Sequence, residues 1–262
     1  MTLRARASKP LSWMTIILAC IGATACVHPA GQQATQSLPW SNAGQMLLVT
    51  TAEWDADTGT LRRYTRTPEG WRQDGNDIEV SVGRSGAAWG IGLHPTQDDG
   101  GPIKQEGDGR APAGVFAIGD AFGYAGTADT ALPYTQMQAS SYCMDVADSP
   151  LYNRIVDAKV VGEAAVQGST EPMRLDLHNM GDQRYSRGFV IRHNPQAVPG
   201  AGSCIFAHVW KAAGAPTAGC TAMDAPMMQS LYGWLQPTMH PVFVLLPDAE
   251  YERLRAAWQL PG

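Results

Sequence analysis

Beyond its first ten residues the chain carries no cluster of lysine and arginine, and without one there is no electrostatic footprint for a nucleic-acid backbone. No apolar run reaches the roughly 20 residues of a membrane-spanning helix. The longest, Leu11 to Gly22, is too short to favour a spanning anchor. There is no internal repeat, which disfavours a solenoid, and no long low-complexity tract. No His-Glu-x-x-His spacing occurs, so Asp176, His178, His193 and His208 do not form a tight zinc signature, and neither a metal nor an organic cofactor is implied. Basic residues are outnumbered overall: the formal charge is −5. Without Arg4, Arg6 and Lys9 it falls to about −8.

The first residues have the layout of an export signal. Arg4, Arg6 and Lys9 form a basic start, Leu11 to Gly22 an apolar middle, and Ala23-Thr24-Ala25 a small-residue cleavage site. Cys26 follows directly, where a bacterial lipoprotein carries its lipid, so outer-membrane attachment through Cys26 and plain secretion to the periplasm are both open. Residues 1–25 are thus expected to be a signal peptide, 26–45 a linker and 46–262 one domain with a real core. Frequent glycine and proline between short apolar runs predict a mainly β fold. Strands are expected at Met46–Thr51, Ile78–Val82, Val115–Ile118, Phe189–Arg192, Cys204–Val209 and Val242–Leu246. The polar, glycine-rich Lys104–Gly114 reads as a loop. Two helices are expected, one capped by Asp224 with Pro226 in its first turn, the other capped by Asp248.

Cysteine is scarce, and export gives its count meaning. Of five cysteines, Cys20 lies in the leader and Cys26 at its end, which leaves Cys143, Cys204 and Cys220. In an oxidising compartment two of these tend to pair. The expected bond is Cys143–Cys204 with Cys220 reduced; a bridge that includes Cys220 is the alternative. Alternation along Cys204–Val209 puts Ile205, Ala207 and Val209 on one side and Cys204, Phe206 and His208 on the other. A turn containing Gly214 and Pro216 then leads back to Gly219-Cys220. A histidine leaving a strand beside a cysteine after a glycine turn suits a thiol nucleophile with its base. Equally, a buried cysteine is often only a small hydrophobe.

The run Gly202-Ser-Cys-Ile-Phe-Ala-His208-Val-Trp, followed by Pro216-Thr-Ala-Gly219-Cys220-Thr-Ala-Met, resembles the catalytic segment of the YkuD-like L,D-transpeptidase family. Upstream, Lys104-Gln-Glu-Gly-Asp108-Gly-Arg-Ala-Pro112-Ala-Gly-Val-Phe116 and Tyr152-Asn-Arg154 extend the likeness, which covers most of the chain from about Met46. The resemblance implies a β-sandwich-like catalytic domain with a few peripheral helices. It also implies Cys220 as nucleophile, His208 as general base and peptidoglycan stem peptides as partners. The thiolate would attack the L,D bond of a tetrapeptide stem, release the terminal D-alanine and pass the acyl group to an amine. Gly219 would shape the turn that offers N–H groups to the oxyanion.

The likeness is not complete. Many members have Ser-His before the Gly-Cys pair and Arg two residues after it, whereas Thr217-Ala218 and Ala222 stand here. Donor recognition must then use other residues. Ser203 and a backbone carbonyl are the candidates for orienting His208; Lys104, Glu106 and Asp108 are candidates for the cleft wall. Tyr152-Asn153 and Asn194 read as hydrogen-bonding anchors. An L,D-carboxypeptidase or amidase of the same fold and a non-enzymatic wall-binding lipoprotein are the competing functions. Papain-like and NlpC/P60 thiol hydrolases place cysteine before histidine, and sortases need a far later cysteine and an arginine, so the order His208–Cys220 separates them.

Overall fold

A computed structural model describes residues 1–2, 37–97 and 100–262. The expected signal peptide, the lipidation candidate Cys26 and most of the expected linker fall outside the described residues. Ser37 to Gly262 form one compact unit. That unit begins before the expected boundary at 46, because Trp40 is buried and its Nε1–H donates to Trp258 O at 3.1 Å.

The chain is 33% strand and 15% helix. In order it forms β1 (Gln45–Thr51), β2 (Thr58–Thr67), β3 (Gly70–Gln73), β4 (Ile78–Ser81), β5 (Ala87–Trp89) and β6 (Ala111–Gly123). Next come β7 (Tyr134–Gln136), β8 (Ser141–Cys143), β9 (Ile155–Asp157), α1 (Ala158–Val161), β10 (Glu171–Pro172), α2 (Leu175–His178) and β11 (Arg187–Ile191). The last third contributes β12 (Phe206–Val209), β13 (Thr221–Met223), α3 (Ala225–Trp234), β14 (Val242–Pro247) and α4 (Asp248–Leu254).

The expected sandwich is not what forms. Strand order runs β1-β14-β6-β11-β12-β13-β4-β2, and β2 pairs back onto β1, which closes an eight-stranded barrel. The cause lies in β1. Its apolar run is buried along its whole length, with β14 parallel on one edge (Leu48↔Val244) and β2 antiparallel on the other (Leu48↔Arg62). A strand paired on both edges leaves no open side, and closure removes the unsatisfied edges that two separate sheets would keep. Leu47, Val49, Leu61, Val80, Val115, Phe116 and Val244, among others, belong to the main hydrophobic core of the domain.

Local chemistry sets the helices. Asp224 caps α3, accepting the Met227 N–H at 2.8 Å, and Met228, Leu231 and Tyr232 bury the helix against the barrel. Asp248 is not a cap: it stands in the first turn of α4 behind Pro247, where its carboxylate favours the helix dipole instead. The expected loop Lys104–Gly114 gives way to strand at Ala111, since β6 needs those residues to pair with β5. A separate three-stranded sheet, β10-β8-β9, flanks the barrel.

Candidate active site

Parallel pairing of β12 with β13 decides the geometry. Ala207 lies opposite Thr221 and His208 opposite Ala222, so Cys220, one residue before β13, comes beside Phe206, two residues before His208 on the same face. Cys220 and His208 are 7% and 3% exposed and line one cleft of about 580 Å³. Phe206 and Cys220 belong to one apolar cluster with Tyr185, whose ring meets His208 edge-on at 5.1 Å.

Each reacting group has a defined partner. The thiol donates to Cys204 O at 3.5 Å, and its sulfur accepts the Phe206 N–H at 3.3 Å. His208 Nδ1–H donates to Val209 O at 2.8 Å, which leaves Nε2 as the basic nitrogen. No hydrogen bond joins thiol to ring among the described residues. Burial pushes the Cys220 thiol up to about 12, with the Glu171 carboxylate adding to the rise. Burial likewise pushes His208 down to about 4. The resting pair is a neutral thiol and a neutral imidazole, and proton transfer must accompany attack rather than precede it.

The cysteines are arranged around this centre. Cys143 and Cys204 form a disulfide, and Cys220 is free. Cys204 adopts φ 56, held there by the disulfide on its side chain and by Asn153 Oδ1, which accepts its N–H at 2.9 Å. The Asn153 amide also donates to His193 O and Asn194 O, both at 2.9 Å. This clasp fixes the Cys204 carbonyl that the thiol touches.

Ser203 does not orient His208: its hydroxyl donates to Glu106 Oε2 at 2.7 Å, and Val209 O does the orienting. Glu106 also accepts from the Tyr152 hydroxyl. Lys104 and Glu106 line the cleft, whereas Asp108 stands behind it and pairs with Lys104 Nζ at 2.6 Å. Gly219 N–H is taken by Thr217 Oγ1 at 3.0 Å, and that hydroxyl donates to Cys220 O at 2.7 Å. The other candidate histidines serve the backbone. His193 accepts from Ile91 N–H at 3.2 Å and donates to Ala201 O at 2.9 Å, while His178 meets Ala139 O at 2.9 Å. Asp176 pairs with Arg174.

Four cleft residues carry no signal in the sequence: Arg84, Glu171, Arg184 and Tyr185. Each stands alone, outside any periodic run, and reaches the cleft only through tertiary pairing. Arg184 is neutralised by Asp182 at 2.7 Å. Arg84 is exposed and makes no ion pair among the described residues, and its backbone N–H donates to Thr217 O at 2.8 Å. No protein-family profile, curated protein or solved structure matches the chain.

Proposed function

We propose that this chain is an exported cysteine acyltransferase acting on peptidoglycan stem peptides, of the kind its sequence resembles among YkuD-like L,D-transpeptidases. One observation carries the reading: a reduced thiol and an imidazole of fixed tautomer face the same cleft from adjoining parallel strands.

As the scissile carbonyl approaches Cys220, His208 Nε2 takes the thiol proton and the sulfur attacks. The Phe206 N–H, already on the sulfur, steadies the developing thiolate. With the Gly219 N–H engaged by Thr217, the Cys220 N–H is the donor assigned to the oxyanion. Collapse breaks the peptide C–N bond, His208 returns its proton to the leaving amine, and D-alanine departs from a thioester. The donor's terminal carboxylate is assigned to Arg84, which replaces the arginine missing at Ala222.

Incubation of purified sacculi with wild type and with Cys220→Ala, followed by muropeptide mass analysis, tests the reading. Wild type should yield cross-links between two diaminopimelate residues, and the variant none. Tripeptides alone would redefine the activity as carboxypeptidase. Identical profiles from both proteins, with no carbapenem adduct on Cys220, would leave only the wall-binding alternative standing.

A further inference from the structure

An amine acceptor poses a problem that the Cys220–His208 pair does not solve alone. At neutral pH it arrives as an ammonium, with an ordinary pKa of about 10. Two protons must leave its nitrogen before the new amide is complete. His208 has one basic nitrogen, and burial makes it a weak base. A second base near the sulfur is required.

The satellite sheet supplies one. Glu171 in β10 lies directly opposite Cys143 in β8. Cys143 is bonded to Cys204, whose carbonyl accepts from the Cys220 thiol. Strand pairing and disulfide therefore hold Glu171 in the wall of the cleft that contains Cys220 and His208. Its Oε1 accepts from the buried Tyr185 hydroxyl, and its other oxygen has no partner among the described residues. The other acidic groups of the cleft are occupied. Glu106 holds Tyr152 and Ser203; Asp145 accepts from Thr170 N–H at 3.0 Å and from the Thr170 hydroxyl.

We propose that Glu171 is the acceptor-side catalytic residue: it binds the incoming ammonium and takes its first proton, so that the cleft favours aminolysis over hydrolysis. This rests on the acyltransferase reading. Glu171 carboxylate accepts one proton and frees the amine lone pair; the amine attacks the thioester carbonyl and the C–S bond breaks. His208 takes the second proton and passes it to the departing thiolate, and Glu171 releases its own to solvent. Burial pushes the Glu171 carboxyl up to about 7, countered in part by the Tyr185 hydroxyl and reinforced by Asp145, which suits a base that must reload near neutrality.

The test separates acylation from transfer. Wild type and Glu171→Gln are acylated at Cys220 with a carbapenem, followed by mass, and turned over on a tetrapeptide donor with a diaminopimelate-containing acceptor. The fractions of cross-linked and hydrolysed product are then read from pH 5 to 9. Acylation should persist and be no slower in the variant, since removing the Glu171 charge eases ionisation of the Cys220 thiol, and the transfer-to-hydrolysis ratio should fall at least tenfold. In wild type that ratio should rise with pH through neutrality and then level off, whereas in the variant it should stay low at neutral pH and climb only as free amine accumulates toward pH 9. An unchanged ratio would overturn the assignment. Loss of carbapenem acylation in the variant would also overturn it, since Glu171 would then support the nucleophile. Failure of wild type itself to acylate would sink the acyltransferase reading instead.

Discussion

At the scale of single residues the cleft is defined by which charges are left over. Lys104 and Arg184 are spent on Asp108 and Asp182, whereas Arg84 makes no ion pair among the described residues. Its side chain lies over Gly109, where an added Cβ would fall 2.9 Å from Cζ, and its backbone is tied to Thr217, which holds the Cys220 carbonyl. A charge-assisted bond to a substrate carboxylate contributes roughly 1.5–3 kcal/mol. Arg84→Met should therefore raise KM for a tetrapeptide donor about tenfold or more while moving kcat less. Steady-state kinetics decide it; an unchanged KM places the donor carboxylate elsewhere. The imidazole was visible in the sequence because a β-like alternation fixes the face of His208, and the thiol because Cys220 directly follows the Gly219 turn. Arg84 and Glu171 were not, since neither belongs to a pattern, and only tertiary pairing delivers them to the cleft.

At the scale of elements, the three-stranded sheet is joined to the barrel by the Cys143–Cys204 bond and by the Asn153 clasp. The bond closes a loop with a sequence separation of 61, which in the chain-entropy account stabilises the fold by about 4 kcal/mol. Replacing both cysteines by alanine should lower the unfolding free energy by about that amount, as read by denaturant titration. A change within about 0.5 kcal/mol would show that the clasp alone holds the sheet. Strands β1, β4, β12 and β14 were legible as short apolar or alternating runs, and α3 from its aspartate cap. Barrel closure was not, because the pairing of β1 with both β2 and β14 is a long-range register that no local run encodes. Two-residue β10, which carries Glu171, is too short to show any period.

Across the whole molecule, His94, His193 and His208 share one condition: burial pushes each down to about 4. Two of them accept backbone N–H bonds, His94 from Val115 at 3.2 Å and His193 from Ile91, and protonation would remove those acceptors. The unfolded chain takes up these protons near the ordinary histidine value of about 6.5, and the folded chain resists until about 4. Their stabilisation is thus complete above pH 6.5 and is lost as pH falls toward 4. Glu171 opposes them, because its raised carboxyl keeps a proton in the folded state between about 4.5 and 7 that the unfolded chain has released. Net uptake on unfolding near pH 5.5 should then approach two protons from these four groups, a slope of roughly 3 kcal/mol per pH unit at most. Calorimetry should show Tm falling from pH 7 to pH 5, and His94→Gln, which can still accept the Val115 N–H, should flatten the fall by about one proton's share. A Tm that holds level over that range would mean that these rings are not kept neutral by the fold, and that His208 enters the reaction already able to carry charge.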